Sequence, residues 1–411
     1  MTTDPAVEIH ADTRLRGSVV LLMALAAALG TSTIYPLQPA IGDVADSLGL
    51  QITVVGLALA CGPIGYMAGL GLLVPLVDRF APRRVIGTQF AVLAVALALS
   101  AAVGGRWQLA LMTAVIGACS TVGASLSSVA GRLAPPCRRA KTLGVVTAGI
   151  SVGILAGRIF GGWLADEIGW RGTLLTFAAA CALIAGCCLV MLPGGQGAGQ
   201  RGYLATLRSL PGLLVRHATL RIAAIAGALW FFAFCATWTG LAVALSQPPF
   251  SYSSERIGLY ALAGLSGILA TQVAGAWTDR VGARRVIMIG LSIAAASLVV
   301  AGFALTDLVV TLACLALFDA GLFAAQVANQ STVLAIDPTA PARFNSAYML
   351  VYFVGGSLGT AFGAASVGWF GWPTTAAVTA ATIGAAAAIV FRFTSRVSVA
   401  SMTASSPAAS G

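Results

Sequence analysis

The chain has 411 residues, of which 58% are hydrophobic and only 9% are charged, and its formal net charge is +10. Soluble domains carry about a quarter charged residues, so this composition excludes a soluble globular protein and predicts a polytopic membrane protein. The eight cysteines and two histidines follow no disulfide or metal-ligand spacing. No nucleophile–base set or phosphate loop occurs, so we expect neither an enzyme nor a cofactor or metal site.

The chain contains twelve apolar stretches of the length that crosses a bilayer as a helix, about 20 residues each. They lie near residues 17–38, 52–76, 84–104, 108–130, 142–164, 172–192, 219–245, 256–277, 285–305, 309–333, 344–368 and 373–393. The first stretch is long and no small-residue cleavage site follows it. We therefore interpret it as a retained helix rather than a signal peptide.

The basic residues lie mostly on one side of the predicted spans. With the N-terminus inside, nineteen Lys and Arg fall in inner loops and tails, against three in outer loops, Arg106, Arg171 and Arg256. This asymmetry predicts that both termini are cytoplasmic. It also explains the net charge without a nucleic-acid partner. A single Lys among the 23 basic residues indicates a GC-rich bacterial genome, so we expect a multi-pass protein of a bacterial plasma membrane.

The sequence repeats itself at an interval of about half its length. VPLVDRFAPRR follows the second span and GAWTDRVGARR follows the eighth, and their aspartates, Asp78 and Asp279, are 201 residues apart. Two Gly-Trp pairs, at 169–170 and 371–372, are 202 residues apart. Two agreeing offsets predict a tandem duplication of six spans.

The duplication divides the chain into two helical bundles with short flanking segments. The predicted parts are a cytoplasmic tail (1–16), a six-helix bundle (17–193), a cytoplasmic linker (194–218), a second six-helix bundle (219–393) and a disordered cytoplasmic tail (394–411). The linker contains a short amphipathic helix that we expect to be interrupted at Pro211.

Each repeat places a D-R-x-x-x-R motif in an inner loop. The residues are Asp78, Arg79 and Arg83 in the first half, and Asp279, Arg280 and Arg284 in the second. A carboxylate at a helix end can cap the next helix and bind neighbouring arginines. One copy is typical of topogenic charge. Two copies at equivalent places favour a cytoplasmic latch that forms in one conformational state.

With these loops, the chain resembles a major facilitator superfamily transporter over nearly its whole length. The superfamily signature G-x-x-x-D-R-x-G-R is similar to the stretch from Gly275 to Arg284, which includes Gly282. In the first half, Val74 and Ala81 replace the two signature glycines. The resemblance implies two pseudo-symmetric six-helix bundles around a central cavity, with the whole chain all-α and transporting a solute by alternating access.

The fifth span carries a glycine pattern around one arginine. Glycines recur every four residues from Gly149 to Gly161, which makes a smooth surface for a neighbouring helix. The stretch resembles G-x-x-x-G-P-x-x-G-G of drug–proton antiporters, with Arg158 in the position of the proline. The matching glycines are Gly153, Gly157, Gly161 and Gly162. The resemblance implies that they lie at the interface of the two halves and favours efflux. Without the proline, the helix should be straighter.

Arg158 in mid-membrane costs at least about 2.5 kcal/mol unless its charge finds a partner or water. Three interpretations are open. The side chain could extend to the outer headgroups. It could pair across the halves with Asp319, which stands out as the carboxylate well inside a span. That pair would close the outer side, and protonation of Asp319 would weaken it. Alternatively, Arg158 binds an anionic substrate and Asp319 is the proton site alone.

Further polar and aromatic residues are candidates for the substrate cavity. Tyr35 and Gln38 resemble a Y-Y-x-Q-P-L-L pattern of efflux facilitators, and the aromatic residues of the seventh span recur every four residues. Polar residues of the tenth span share roughly one face with Asp319. The full set is Tyr35, Gln38, Trp230, Phe234, Trp238, Gln326, Asn329, Gln330, Tyr348 and Tyr352.

These features together predict a secondary transporter that exports a small amphipathic or drug-like compound in exchange for protons. Proton-coupled uptake of a sugar or organic acid is the alternative. An alternative of another class is a membrane sensor or interaction protein that transports nothing. The expected partners are a small-molecule substrate, protons and the lipid bilayer, and the protein is expected to be a monomer.

Overall fold

The computed structural model describes residues 17–135, 138–194, 203–337 and 341–404. Within these ranges the chain is helical and contains no strand. Nine of the described helices are long and apolar enough to cross a membrane. The predicted class, an all-α membrane protein, is confirmed.

The first half contains eight α-helices and one 3₁₀ segment. Their bounds are α1 (Gly17–Ser32), α2 (Ile41–Leu48), α3 (Ile52–Leu59), α4 (Cys61–Leu72), the 3₁₀ segment Val74–Asp78, α5 (Pro82–Ala101), α6 (Arg106–Cys119), α7 (Val122–Leu133) and α8 (Arg139–Met191).

The linker and second half contain seven α-helices and one 3₁₀ segment. Their bounds are α9 (Tyr203–Arg216), α10 (Ala218–Ser246), α11 (Ser254–Leu259), the 3₁₀ segment Tyr260–Gly264, α12 (Leu265–Val281), α13 (Ala283–Phe303), α14 (Leu308–Leu334) and α15 (Pro341–Ala404).

The two longest helices each turn at a glycine. Gly169 in α8 has φ 74° and ψ 160°, and Gly371 in α15 has φ 77° and ψ 168°. Residues with a Cβ avoid this backbone region, so glycine is required at both corners. Each long helix therefore holds two of the predicted spans. The total of twelve spans and the cytoplasmic termini stay predictions.

Two segments differ from the sequence prediction. The linker helix α9 continues through Pro211, because Leu210 and Leu213 are buried against the second half and this burial offsets the lost backbone bond. Helix α15 continues to Ala404, where we expected disorder from 394, since extending an existing helix costs far less than starting one. The predicted tail 1–16, the segment 195–202 and residues 405–411 lie outside the described residues.

The glycine stripe of α8 packs within the first half, which corrects the interface prediction for most of it. A Cβ on Gly149, Gly153, Gly157 or Gly161 would collide with the backbone of the first span and the turn after it. The partners are Ala24, Ala28, Ser32 and Pro36. The four-residue spacing puts the stripe on one side of the helix, and that side faces α1. Gly162, one residue away, faces the second half instead.

Candidate functional site

Arg158 lies in an uninterrupted stretch of α8 and is only 4% exposed. Its Nε donates to Gln38 Oε1 at 2.7 Å. Its guanidinium carbon lies 4.8 Å from the ring centre of Tyr35, 5.5 Å from that of Phe234 and 4.5 Å from that of Trp238. Three aromatic faces around a cation are a cation–π enclosure. The side chain therefore points into the protein, and extension to the headgroups is excluded.

Asp319 is buried on α14 at 2% exposure. Trp238 Nε1 donates to its Oδ1 at 3.2 Å, and the face of the same indole contacts the Arg158 guanidinium. No direct salt bridge joins Arg158 and Asp319, both of which are described residues. In this structure Trp238 lies between the two charges in place of the predicted direct pair.

The terminal nitrogens of Arg158 have no hydrogen-bond acceptor within the described part of the chain. Only Nε is engaged, by Gln38. Gln38 is held in turn, because its Nε2 donates to Thr239 Oγ1 of the second half at 3.0 Å. The guanidinium is thus positioned by fixed neighbours, while its two terminal nitrogens can donate hydrogen bonds to a ligand.

Gln326 forms a second polar position on α14. Its Oε1 accepts from Tyr348 Oη at 2.7 Å and from Trp230 Nε1 at 3.3 Å. Since an indole N–H can only donate, these bonds fix the amide with its oxygen toward Trp230 and its Nε2 away from it. Trp230 and Tyr348 are 1% and 0% exposed, whereas Gln326 is half-buried. Both aromatic residues, predicted to line the cavity, instead support Gln326 from behind.

Helices α10 and α14 meet in three successive pairs. Trp238 contacts Asp319, the rings of Phe234 and Phe323 lie 5.8 Å apart, and Trp230 contacts Gln326. At 1.5 Å per residue, the two polar pairs are separated by about 10–12 Å along the helices. An aromatic pair therefore lies between two polar positions.

Two predicted cavity residues of α14 have other contacts. Asn329 is 3% exposed and its Nδ2 donates to Ala223 O at 3.0 Å. This corrects the prediction, because an offset of ten residues turns Asn329 about 80° from Asp319 on the helical wheel. Gln330 is half-buried, and its Nε2 donates to Asn345 Oδ1 at 2.9 Å.

Half-buried aromatic rings continue the site toward the first half. Phe231 stacks on Tyr352 with ring centres 4.0 Å apart and meets Phe353 edge-on at 5.3 Å. Phe353 in turn lies 4.5 Å from Tyr66 of α4. Tyr352 was predicted from the sequence, but Phe231, Phe353 and Tyr66 were missed. The sequence of a single span does not show which of its aromatic residues face the other half.

One end of the bundle, where Gly169 and Gly371 lie, is closed by hydrogen bonds between the halves. Asp166 of α8 accepts from the backbone nitrogens of Ser254 and Glu255, both at 3.0 Å. It thereby caps α11 of the opposite half. Ser254 Oγ also donates to Oδ2 of the exposed Asp43 at 2.6 Å. Neither contact has a sequence signal, because both join residues far apart in the chain.

Two glycines let the helices approach at this closed end. A Cβ on Gly258 of α11 would lie 2.6 Å from the carbonyl oxygen of Arg158, and one on Gly162 would collide with the Ser254 carbonyl. Of the predicted interface glycines, Gly162 therefore lies between the halves. The backbone of Arg158 takes part in the same contact. Separation of the halves at the closed end would therefore also displace the charged site.

The loop motifs at the opposite end are mainly exposed. Arg79, Arg83, Asp279 and Arg280 are exposed, and the side chain of Asp78 is outside the described atoms. Arg284 Nη2 donates to the Phe391 carbonyl at 3.0 Å, within the second half. The latch between the halves stays a prediction.

The corresponding loop backbones differ between the halves. The signature glycine Gly282 has φ 88°, whereas Ala81 has φ −57° and is followed by Pro82 in the first turn of α5. Pro82 begins the helix without a glycine turn, which explains how the first half does without the second signature glycine.

A helical membrane protein with two corresponding halves and a buried charged site where they meet is typical of a secondary transporter. The Major Facilitator Superfamily profile matches residues 20–258 and 227–408. The chain therefore belongs to the Major Facilitator Superfamily, a family of non-enzymatic transporters.

Curated relatives agree with this assignment. The uncharacterized transporter YgaY of Escherichia coli O157:H7 is 30% identical over 87% of this chain and 91% of its own length. The probable transporter SCO4007 of Streptomyces coelicolor is 31% identical over 88% and 84%. A chloramphenicol resistance protein of Streptomyces lividans is 29% identical over 54% of this chain and 56% of its own.

Solved structures share the fold at low identity. A bacterial homolog of the human lysosomal transporter Spinster, in an inward-facing and unoccupied conformation, has a TM-score of 0.74 at 16% identity and covers 91% of this chain and 96% of its own. The nucleoside transporter NupG has a TM-score of 0.72 at 15% identity, with 90% and 98% covered.

Proposed function

We propose that this transporter exports a small amphipathic compound in exchange for protons. The observation that carries the proposal is the unit of Arg158, Trp238 and Asp319, which joins the two halves at a buried site. A buried carboxylate can carry a proton across the membrane when its surroundings change with conformation. Asp319 has one neutral donor and a cation beyond it, so its charge state decides how strongly the halves attract each other.

The position of the unit supports coupling to alternating access. With the topology predicted from the basic residues, the closed end faces the outside of the cell. When Asp319 is protonated, its attraction for Arg158 across Trp238 is lost, which favours opening of the closed end. A substrate that binds the terminal nitrogens of Arg158 from the other end competes for the same guanidinium. Protonation of Asp319 and substrate binding to Arg158 would thus both weaken the contact between the halves through Trp238, one from each end of the protein.

Two observations favour export over uptake. The fifth-helix glycine pattern is similar to that of drug–proton antiporters, and a chloramphenicol resistance protein is among the relatives. We further propose a monomer in a bacterial plasma membrane with both termini in the cytoplasm.

One feature supports uptake of an organic acid as the second candidate. The terminal nitrogens of Arg158 have no acceptor within the described residues, and a guanidinium favours carboxylates. The direction of net flux separates the two candidates. A sensor that transports nothing would show no flux in either direction.

Chloramphenicol accumulation in energised cells tests the proposal. Cells lacking their own exporters would express the wild type, Asp319→Asn or the control Asp46→Asn, which alters an exposed carboxylate. We expect the wild type and the control to lower accumulation until an uncoupler is added. Asp319→Asn should accumulate as much as cells without the protein, at equal expression and the same gel-filtration profile. Export by Asp319→Asn at the wild-type rate, or uncoupler-insensitive export, would contradict proton coupling through Asp319.

A further inference from the structure

We infer that the site binds an elongated aromatic compound that carries a hydrogen-bond acceptor at each end, one for Arg158 and one for Gln326. The inference rests on the proposed function, since it names the substrate class of the same site. It follows from two oriented donors with an aromatic surface between them.

The first donor is the Arg158 guanidinium. Its Nε is occupied by Gln38 and its faces by three aromatic rings, so the terminal nitrogens are the atoms left to bind. A planar fork of N–H groups pairs best with two oxygens in one plane, as in a carboxylate. The side chain is 4% exposed, and such a buried donor gains most from an acceptor that reaches it.

The second donor is Nε2 of Gln326. Trp230 and Tyr348 both bond to the amide oxygen, which fixes Nε2 on the opposite side of the amide. Nε2 has no acceptor within the described residues and is not fully buried. A carbonyl on the ligand can therefore bind there without breaking a bond inside the protein.

The surface between the two donors is aromatic. The Trp238–Asp319 pair, which Arg158 contacts through the Trp238 ring, lies about 10–12 Å along the helices from the Trp230–Gln326 pair, roughly the length of two linked benzene rings. Phe234 and Phe323 lie between the donors on the two helices, and Phe231 stacked on Tyr352 extends this surface. Aromatic ligands pack against such rings in stacked and edge-on arrangements.

The same surface disfavours other solutes. A sugar would bring many hydroxyl groups onto aromatic faces and leave them unpaired, which is costly. An organic cation would meet the charge of Arg158 at one end and an amide donor at the other. The class is therefore neutral or anionic aromatic compounds with acceptors at both ends.

Binding of two probes to the purified full-length protein tests the inference. The probes are 4′-acetylbiphenyl-4-carboxylate and biphenyl-4-carboxylate, which differ in the acetyl group whose carbonyl oxygen is meant for Gln326. Kd is measured by quenching of tryptophan fluorescence. For the wild type we expect the acetyl compound to bind about tenfold more tightly, the upper range for the net contribution of one hydrogen bond. Arg158→Gln should weaken both probes about tenfold or more, and Arg158→Lys should recover part of the loss.

The decisive variant is Gln326→Glu. A carboxylate keeps both bonds from Trp230 and Tyr348 and replaces only the outward N–H by oxygen. Its ratio of the two Kd values should fall to one or below. The control Gln108→Glu makes the same change at an exposed position, where the carboxylate keeps the bond from Gly104 N, and it should keep the wild-type ratio.

Two results would overturn the inference. The first is that the wild type binds both probes with equal Kd values, or binds neither. The other is a Gln326→Glu variant that still prefers the acetyl compound. Neither result depends on export of chloramphenicol or on Asp319→Asn, so failure of the substrate class and failure of proton-coupled transport are distinguishable.

Discussion

At the scale of single residues, Trp238 does two things with one side chain. Its ring face contacts Arg158, and its N–H donates to Asp319. Trp238→Phe keeps an aromatic face but removes a hydrogen bond to a charged group, a loss of roughly 1.5–3 kcal/mol. We expect proton-driven export to fall about tenfold or more. The matched control, Trp230→Phe, removes the donor to Gln326 instead. Export by Trp230→Phe should still be inhibited by an uncoupler. If both variants lose this sensitivity equally, a special role for Trp238 is refuted.

A second residue-scale prediction concerns close approach of the halves. Gly258→Ala places a methyl group 2.6 Å from the Arg158 carbonyl, so α8 and α11 must separate. Cys235 is a half-buried free thiol on α10, three residues before Trp238. With Cys235 retained as the single cysteine, we expect the closed end to open more often and Cys235 to react faster with a membrane-impermeant maleimide. Gly275→Ala is the control, because a methyl group there meets no atom within 4 Å. Equal labelling of the two variants would show that this glycine contact does not keep the halves together.

At the scale of elements, α11 is a short helix whose first turn is capped by a carboxylate of the other half. Asp166 accepts the backbone nitrogens of Ser254 and Glu255, and a negative charge at a helix N-terminus is stabilising by about 0.3–1 kcal/mol at exposed sites. Asp166→Asn removes the charge and one acceptor oxygen. We expect a few-fold increase in Cys235 labelling from outside. Glu167→Gln, a neighbouring exposed position, should label as the wild type, and an unchanged Asp166→Asn would exclude the cap as a closure device.

At the scale of the whole molecule, sequence reasoning predicted what is periodic or repeated. The all-α membrane class follows from hydropathy, the internal repeat from two matching offsets, and the family from the loop motifs. The site was predicted less completely. Polar residues in apolar spans stand out, so Arg158, Asp319 and Gln326 were found. Trp238 was predicted to line the cavity, but its position between the two charges was not predicted. Contacts across the halves, such as Asp166 with α11, depend on how two bundles meet, and no local pattern in the chain encodes that.

The last prediction tests the two halves as moving bodies. Asp43 and Ser254 come from opposite halves, and their side-chain oxygens lie 2.6 Å apart. In an otherwise cysteine-free protein, cysteines at these positions should be joined by a short bis-methanethiosulfonate reagent. Because alternating access requires this end to open, the cross-link should abolish export, and a reductant should restore it. Probe binding at Arg158 and Gln326 should persist, since the site is reached from the other end.

A matched cross-link within one half is the control. Gln330 and Asn345 belong to the second half and lie 2.9 Å apart between side-chain atoms. Their cross-link restrains two helices of one bundle but not the bundles against each other, so export should continue at a substantial rate. Export that persists when Asp43 and Ser254 are fully cross-linked would mean that the compound leaves without separation of the halves at this end. The closed contact would then be a fixed part of the structure rather than a gate.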